Sequence, residues 1–168
     1  MSADIEQLVR NAVREMTAGK DSFRKSEKKK ISYISLEDAK LLAERVEARA
    51  KEMGVCAVVA IADEGGNLKL LECMDNSYLA SRDIAINKAY TSVALKMSTK
   101  KLATLARPDG PLYGIQHTND GKIVIFGGGD TLEVGGKIVG GLGVSGGSAE
   151  EDTELSAYGK KIFNEIFF

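Results

Sequence analysis

The chain has few of the residues that would commit it to redox, metal or membrane chemistry. Its 168 residues include no Trp, one His, two Cys and two Pro. One imidazole and two thiols make a poor ligand set for a protein-only zinc site, and two cysteines cannot form a disulfide framework. No stretch approaches the ~20 apolar residues of a membrane span, and the N-terminus lacks the apolar region of a secretory signal. We therefore expect a cytoplasmic protein without a transmembrane segment.

The net charge is small, but it is unevenly distributed along the chain. The whole chain carries a net charge of −1, and nothing in its composition favours nucleic acid as a partner. Residues 19–30 carry +4, whereas residues 1–18 carry −1 and the remainder carries −4. This distribution predicts three parts: an N-terminal segment (1–18), a flexible basic linker (19–32) and a folded domain (33–168).

The N-terminal segment predicts a short amphipathic helix. Its apolar residues recur at three- and four-residue intervals and form one stripe, consisting of Ile5, Leu8, Val9, Ala12, Val13 and Met16. A helix of ~15 residues is marginal alone in water, so this stripe needs a partner. The arrangement resembles the encapsulation peptides of bacterial microcompartment cargo, which implies binding of a shell protein through residues 3–18. A membrane surface, the chain's own domain or a sister subunit are the alternatives.

The folded domain predicts an α+β fold. Its expected elements are a helix between Ser35 and Gly54, strands over 55–63 and 68–74, helices over about 78–97 and 99–106, strand-like pieces near 112–118, 122–126 and 131–144, and a helix after Ser148. The order α-β-β-α-α-β-β-β-α predicts a five-stranded antiparallel sheet flanked by helices. If residue 62 faces residue 67, Cys56 lies opposite Cys73, and both are expected to be buried small apolar residues.

Two glycine patterns invite a nucleotide-binding interpretation. Residues 141–146 satisfy GxGxxG, but only ~20 residues follow them, so the rest of a dinucleotide-binding half is missing. The acidic residues 150–152 would also repel a pyrophosphate. The run Gly127–Gly129 lacks the Lys-Ser/Thr of a P-loop, and it predicts either a ligand-lining backbone or a plain turn.

Two polar residues are candidates for contact with a ligand. His117 is the only histidine, and it could be a surface residue or an axial ligand to a bound macrocycle. Lys88 lies beside the apolar stripe of the second helix, where it could be solvated or could reach a ligand carboxylate. No nucleophile and base can be paired from the sequence, so no catalytic residue is assigned.

Five segments together resemble the GlcG/HbpS family, which includes the C-terminal domain of PduO. In chain order they are DEGGNL (63–68), MDN (74–76), SRDIAINKAYT (81–91), IFGGG (125–129) and GGLGVSGGSAEED (140–152). The resemblance covers residues 33–166 and implies a five-stranded antiparallel sheet of the profilin-like type. It also implies a homo-oligomer, as a dimer or a larger ring. The chain has Asp130-Thr131 where family members often have Pro, so it departs from the family pattern at the mouth of the expected pocket.

The resemblance implies a ligand as well as a fold. Haem binding occurs in some members, with a corrinoid as the less favoured cofactor, and the matching pocket positions here are Lys88, Thr91, Gly128 and Gly129. The resemblance places Thr91 near the haem iron, and His117, proposed above from its chemistry, is the other candidate for the iron ligand. The main hypothesis is a non-catalytic, microcompartment-associated accessory protein that binds a tetrapyrrole in diol or related metabolism. The alternatives are an enzyme of diol or glycolate metabolism that uses Lys88 and Asp152, and an oligomeric scaffold without a ligand.

Overall fold

A computed structural model describes residues 33–167, so the predicted N-terminal helix and basic linker lie outside the described residues. The elements in chain order are α1 (Leu36–Met53), β1 (Val58–Asp63), β2 (Leu68–Cys73), α2 (Ser81–Ala94), α3 (Thr99–Leu105), two 3-10 turns (Ile115–His117 and Asn119–Gly121), β3 (Gly129–Val134), β4 (Lys137–Ser145) and α4 (Ala149–Phe167). Within this part of the chain, no helix is both long and apolar enough to cross a membrane.

The four strands form one antiparallel sheet in the order β2-β1-β4-β3. Successive residues of a strand point to opposite faces, and both faces of β1 are apolar. Val59 and Ile61 belong to the larger core with α1, α4 and β4, whereas Val58, Ala60 and Ala62 pack against the alanines of α2. The sheet therefore lies between α1 and α4 on one side and α2 on the other.

The prediction of five strands was wrong, because the segment between α3 and β3 contributes none. The piece 112–118 contains Gly114 in the left-handed region (φ 86°) and ends in a 3-10 turn. In the piece 122–126, backbone groups form hydrogen bonds with a side chain and not with a neighbouring strand. The Thr91 hydroxyl donates to the carbonyl oxygen of Lys122 and accepts from the amide of Val124. The piece 131–144 is a hairpin, since Gly135 and Gly136 have φ of 56° and 76°.

The predicted β1–β2 register and the predicted burial of the cysteines were also wrong. A β-bulge between Ile61 and Ala62 places Ala62 opposite Leu68 and Val58 opposite Cys73. Cys56 precedes β1 and Cys73 ends the edge strand β2, and both thiols are exposed. The register therefore gives no cross-strand cysteine pair.

Glycines in β4 allow α2 to lie unusually close to the sheet. A Cβ atom at Gly141 would lie 2.5 Å from the carbonyl oxygen of Ala89, and one at Gly143 would overlap the carbonyl oxygen of Ala85. Only glycine avoids these clashes, so the backbone of α2 packs directly on β4. This contact sets the distance between α2 and the sheet, and with it the position of the buried Lys88.

Candidate functional site

A buried ion pair joins α2 to the first turn of α4. Lys88 is 0% exposed and Asp152 is 3% exposed. The Nζ atom of Lys88 donates to Oδ2 of Asp152 at 2.6 Å and to the carbonyl oxygen of Val144 at 2.8 Å. Burial lowers the pKa of Lys88, and the carboxylate of Asp152 opposes that shift. Two protein oxygens therefore accept hydrogen bonds from the buried Nζ atom in place of water.

The glycine run closes directly over this pair. Gly128 has φ of 110°, and a Cβ atom there would lie 2.6 Å from Nζ of Lys88. A Cβ atom at Gly129 would lie 2.7 Å from the carbonyl oxygen of Lys88. The amide of Gly129 donates a hydrogen bond to Oγ1 of Thr99 at 2.9 Å. The structure thus brings together Lys88, Gly128 and Gly129, which the sequence analysis had named as pocket residues.

Phe126 immediately precedes this run and lies over the ammonium group. The centroid of its ring is 4.9 Å from Nζ of Lys88, within the range of a cation–π contact. The side chain is nevertheless 42% exposed. Phe126 was not among the predicted site residues, although an aromatic residue directly before three glycines is a visible signal in the sequence.

Thr91 and His117 occupy different environments. Thr91 is fully buried, and its hydroxyl donates to Lys122 at 3.2 Å and accepts from Val124 at 3.0 Å. His117 is exposed at the end of a 3-10 turn. Among the described residues, no hydrogen bond or ion pair joins His117 to Lys88 or Thr91. Thr91 ties the segment before the glycine run to α2, while His117 presents an accessible imidazole.

Asp130, at the position where the resemblance led us to expect proline, faces α4. Its Oδ2 atom accepts a hydrogen bond from the hydroxyl of Ser156 at 2.8 Å. Burial raises the pKa of Asp130, whereas Ser156 and the nearby Lys160 and Lys100 oppose the shift. This position therefore anchors the start of β3 to α4.

A cleft of about 480 Å³ lies at the N-terminal end of α4, and neither Lys88 nor the glycine run lines it. It is lined by Gly54–Cys56, Asn76, Tyr78, Gly146–Ser148 and Glu151. The amide of Gly147 donates to Oδ1 of Asp152 at 3.0 Å, and that of Ser148 donates to Oε2 of Glu151 at 2.8 Å. The protein's own carboxylates therefore accept from the two amides that follow the GxGxxG segment, where a phosphate would have to bind at the start of α4.

Comparisons with known proteins match this fold and this sequence. The family model for haem-degrading HbpS-like proteins matches residues 34–160. The chain is 42% identical over 136 residues to an uncharacterised 15.0 kDa protein from the dhaT-dhaS intergenic region of Citrobacter freundii, covering 81% of this chain and 96% of that protein. It is 37% identical over 123 residues to the corrinoid adenosyltransferase PduO of the same organism, covering 73% of this chain but only 37% of PduO.

Two solved structures share the architecture and more than a third of the aligned residues. Klebsiella pneumoniae ORFY superposes with a TM-score of 0.77 at 36% identity, covering 83% of this chain and 95% of ORFY. The PduOC:haem complex superposes with a TM-score of 0.74 at 36% identity, covering 77% of this chain and 94% of PduOC.

Proposed function

The chain belongs to the HbpS-like family, and from that premise we propose that it binds haem as a non-catalytic accessory protein. The observation that carries the proposal is the 36% identity, over 77% of this chain, to a domain whose structure is a haem complex. A corrinoid is the second candidate ligand, because the PduO relatives are corrinoid adenosyltransferases. The match to them covers about a third of their length, so we do not extend their transferase activity to this chain.

The segment between α3 and β3 carries residues that suit a haem. A haem needs an axial donor, apolar surface for its ring and cations for its two propionates. His117 offers an exposed imidazole and Lys122 an exposed ammonium, while the rings of Tyr113 and Phe126 are 65% and 42% exposed. The hydroxyl of Thr91 is buried and already used twice. We therefore assign the iron ligand to His117 and a positioning role to Thr91.

Titration with haemin tests this assignment. Wild-type protein should give a saturable shift of the Soret band, and His117→Ala should weaken binding at least about tenfold because the axial bond is lost. Asp109→Ala, at an exposed position of the same segment between α3 and β3, is the control and should leave the titration unchanged. The assignment fails if wild type shows no saturable shift, or if His117→Ala and Asp109→Ala bind haemin equally.

An enzyme of diol or glycolate metabolism is the second candidate function. It is favoured by the buried Lys88–Asp152 pair, because ionisable groups with shifted pKa values concentrate at functional sites. Turnover of these substrates would support it.

The third candidate is an oligomeric scaffold, supported by the exposed apolar pair Tyr78 and Leu79, which are 73% and 93% exposed. A scaffold without a ligand predicts a melting temperature that haemin does not change.

We also propose that residues 3–18 bind a microcompartment shell protein, on the strength of their single apolar stripe. Fusion of residues 1–20 to a fluorescent protein should give puncta that depend on the presence of shells. Val9→Glu places a charge in the stripe and should make the fluorescence diffuse, whereas Asn11→Glu, on the polar face, should not. Diffuse fluorescence of the unmutated fusion would remove the proposal.

A further inference from the structure

Among residues 33–167, two oxygens accept hydrogen bonds from the ammonium group of Lys88, which leaves one of its hydrogens without an oxygen acceptor. A lysine ammonium carries three donors, and Nζ makes two hydrogen bonds, to Asp152 and Val144. The remaining contact is with the face of the Phe126 ring, whose centroid is 4.9 Å away. A ring face is a weaker partner for a buried cation than a carboxylate is. The ammonium group can therefore donate a hydrogen bond to one further anion if the Phe126 ring moves.

The ring is the least restrained part of this enclosure. Val124 is fixed by Thr91, and the carbonyl oxygen of Gly128 accepts from the amide of Val144 at 2.7 Å. Between them, residues 125–127 make no backbone hydrogen bond to any other residue within 33–167. Because the Phe126 side chain is 42% exposed, rotation about its own side-chain bonds can uncover Nζ without unfolding the sheet.

The charge balance around the pair also permits a second anion. Asp152 lies in the first turn of α4, and its Oδ1 atom accepts a hydrogen bond from the amide of Gly147. The helix N-terminus and this amide compensate part of the charge of Asp152. The unused donor of the ammonium is therefore the point of attraction for a carboxylate, and it acts against the repulsion from Glu150 and Glu151 in the same turn.

We propose that Phe126 is a gate over an anion site, and that rotation of its ring allows Lys88 to bind a carboxylate of the ligand. The proposal deepens the haem-binding proposal and rests on it for the identity of the ligand, because haem carries two propionate groups. A small free carboxylate offers the same chemistry, so the experiment separates the two sources.

The rate at which Lys88 is acylated measures how far the Phe126 ring shields Nζ, and this measurement does not depend on haem. The protein is treated with limiting acetic anhydride, and modification of Lys88 is compared by peptide mass spectrometry with that of the exposed Lys101. Phe126→Ala should raise the relative rate at Lys88 at least about tenfold, and Phe126→Leu should give an intermediate rate. Tyr33→Ala is the control, because the Tyr33 ring lies 5.7 Å from Nζ of a different lysine, Lys69, and its removal should leave the rate at Lys88 unchanged.

Protection of Lys88 in Phe126→Ala, or in Phe126→Leu if the alanine variant does not fold, then identifies the anion. Haemin should slow the acylation and haemin dimethyl ester, which has no free carboxylate, should not. Protection by propionate ion without protection by haemin would retain the anion site and remove haem as its ligand. Equal acylation in wild type and both Phe126 variants would overturn the gate. Failure of both haemin and propionate ion to protect would overturn the anion site.

Discussion

Replacing Asp152 with Asn should lower the free energy of unfolding by about 3–5 kcal/mol, because it leaves the buried ammonium of Lys88 without its counter-charge. Both side chains are almost fully enclosed, so water cannot replace the lost carboxylate. The measurement is equilibrium unfolding in urea at neutral pH. Glu165→Gln is the matched control: its ion pair with Lys161 is exposed, at 3.7 Å, and its loss should change stability by less than about 1 kcal/mol.

The double variant Lys88→Met, Asp152→Leu separates the cost of an unpaired charge from the value of the pair. Two apolar residues of similar size remove both charges together, and such replacements of buried pairs are often neutral or stabilising. The double variant should therefore be more stable than Asp152→Asn. Equal losses of stability in Asp152→Asn and Glu165→Gln would contradict the ion pair that the structure shows. A stable double variant that no longer binds haemin would indicate that the pair is retained for binding.

The helices and the first hairpin could be predicted because their signals are local. Ser35 and Asp38 form a capping box where the sequence predicted the first helix to begin, and Gly54 ends α1 with φ of 73°. The fifth strand could not be judged in this way. Residues 122–124 have strand-like composition, but their backbone groups bond to Thr91, about 30 residues earlier in the chain. A side chain from another element thus took the place of a neighbouring strand.

Only those residues of the candidate site that the family resemblance implied could be predicted from the sequence. The resemblance implied Lys88, Gly128 and Gly129, which the structure brings into contact. The pairing of Lys88 with Asp152 joins positions 64 residues apart, and no local pattern reports a contact of that separation. The burial of Thr91 could not be predicted either, because a helical pattern in the sequence does not show which hydroxyl group a later segment of the chain covers. These contacts depend on how closely α2 and β4 pack.

Gly143→Ala tests that packing directly and should destabilise the protein by about 3 kcal/mol. The added methyl group would overlap the carbonyl oxygen of Ala85 and lie 2.6 Å from the amide nitrogen of Ala89, and both atoms belong to the backbone of α2. The strand cannot retreat, because Gly143 pairs with Ala60 on one side and Gly129 on the other. The helix must therefore move, and the midpoint of urea unfolding should fall accordingly.

Gly65→Ala is the control for the loss of a glycine as such. Gly65 is exposed in the β1–β2 turn, and a Cβ atom there would meet only side-chain atoms, of Asn67 at 3.0 Å and Asp63 at 3.3 Å. Those side chains can adjust, so the variant should unfold close to wild type. Because Lys88 lies next to Ala89 on the displaced helix, Gly143→Ala should also increase the acylation of Lys88. A Gly143→Ala protein with wild-type stability and a protected Lys88 would mean that α2 does not need this close approach to hold its lysine against Asp152.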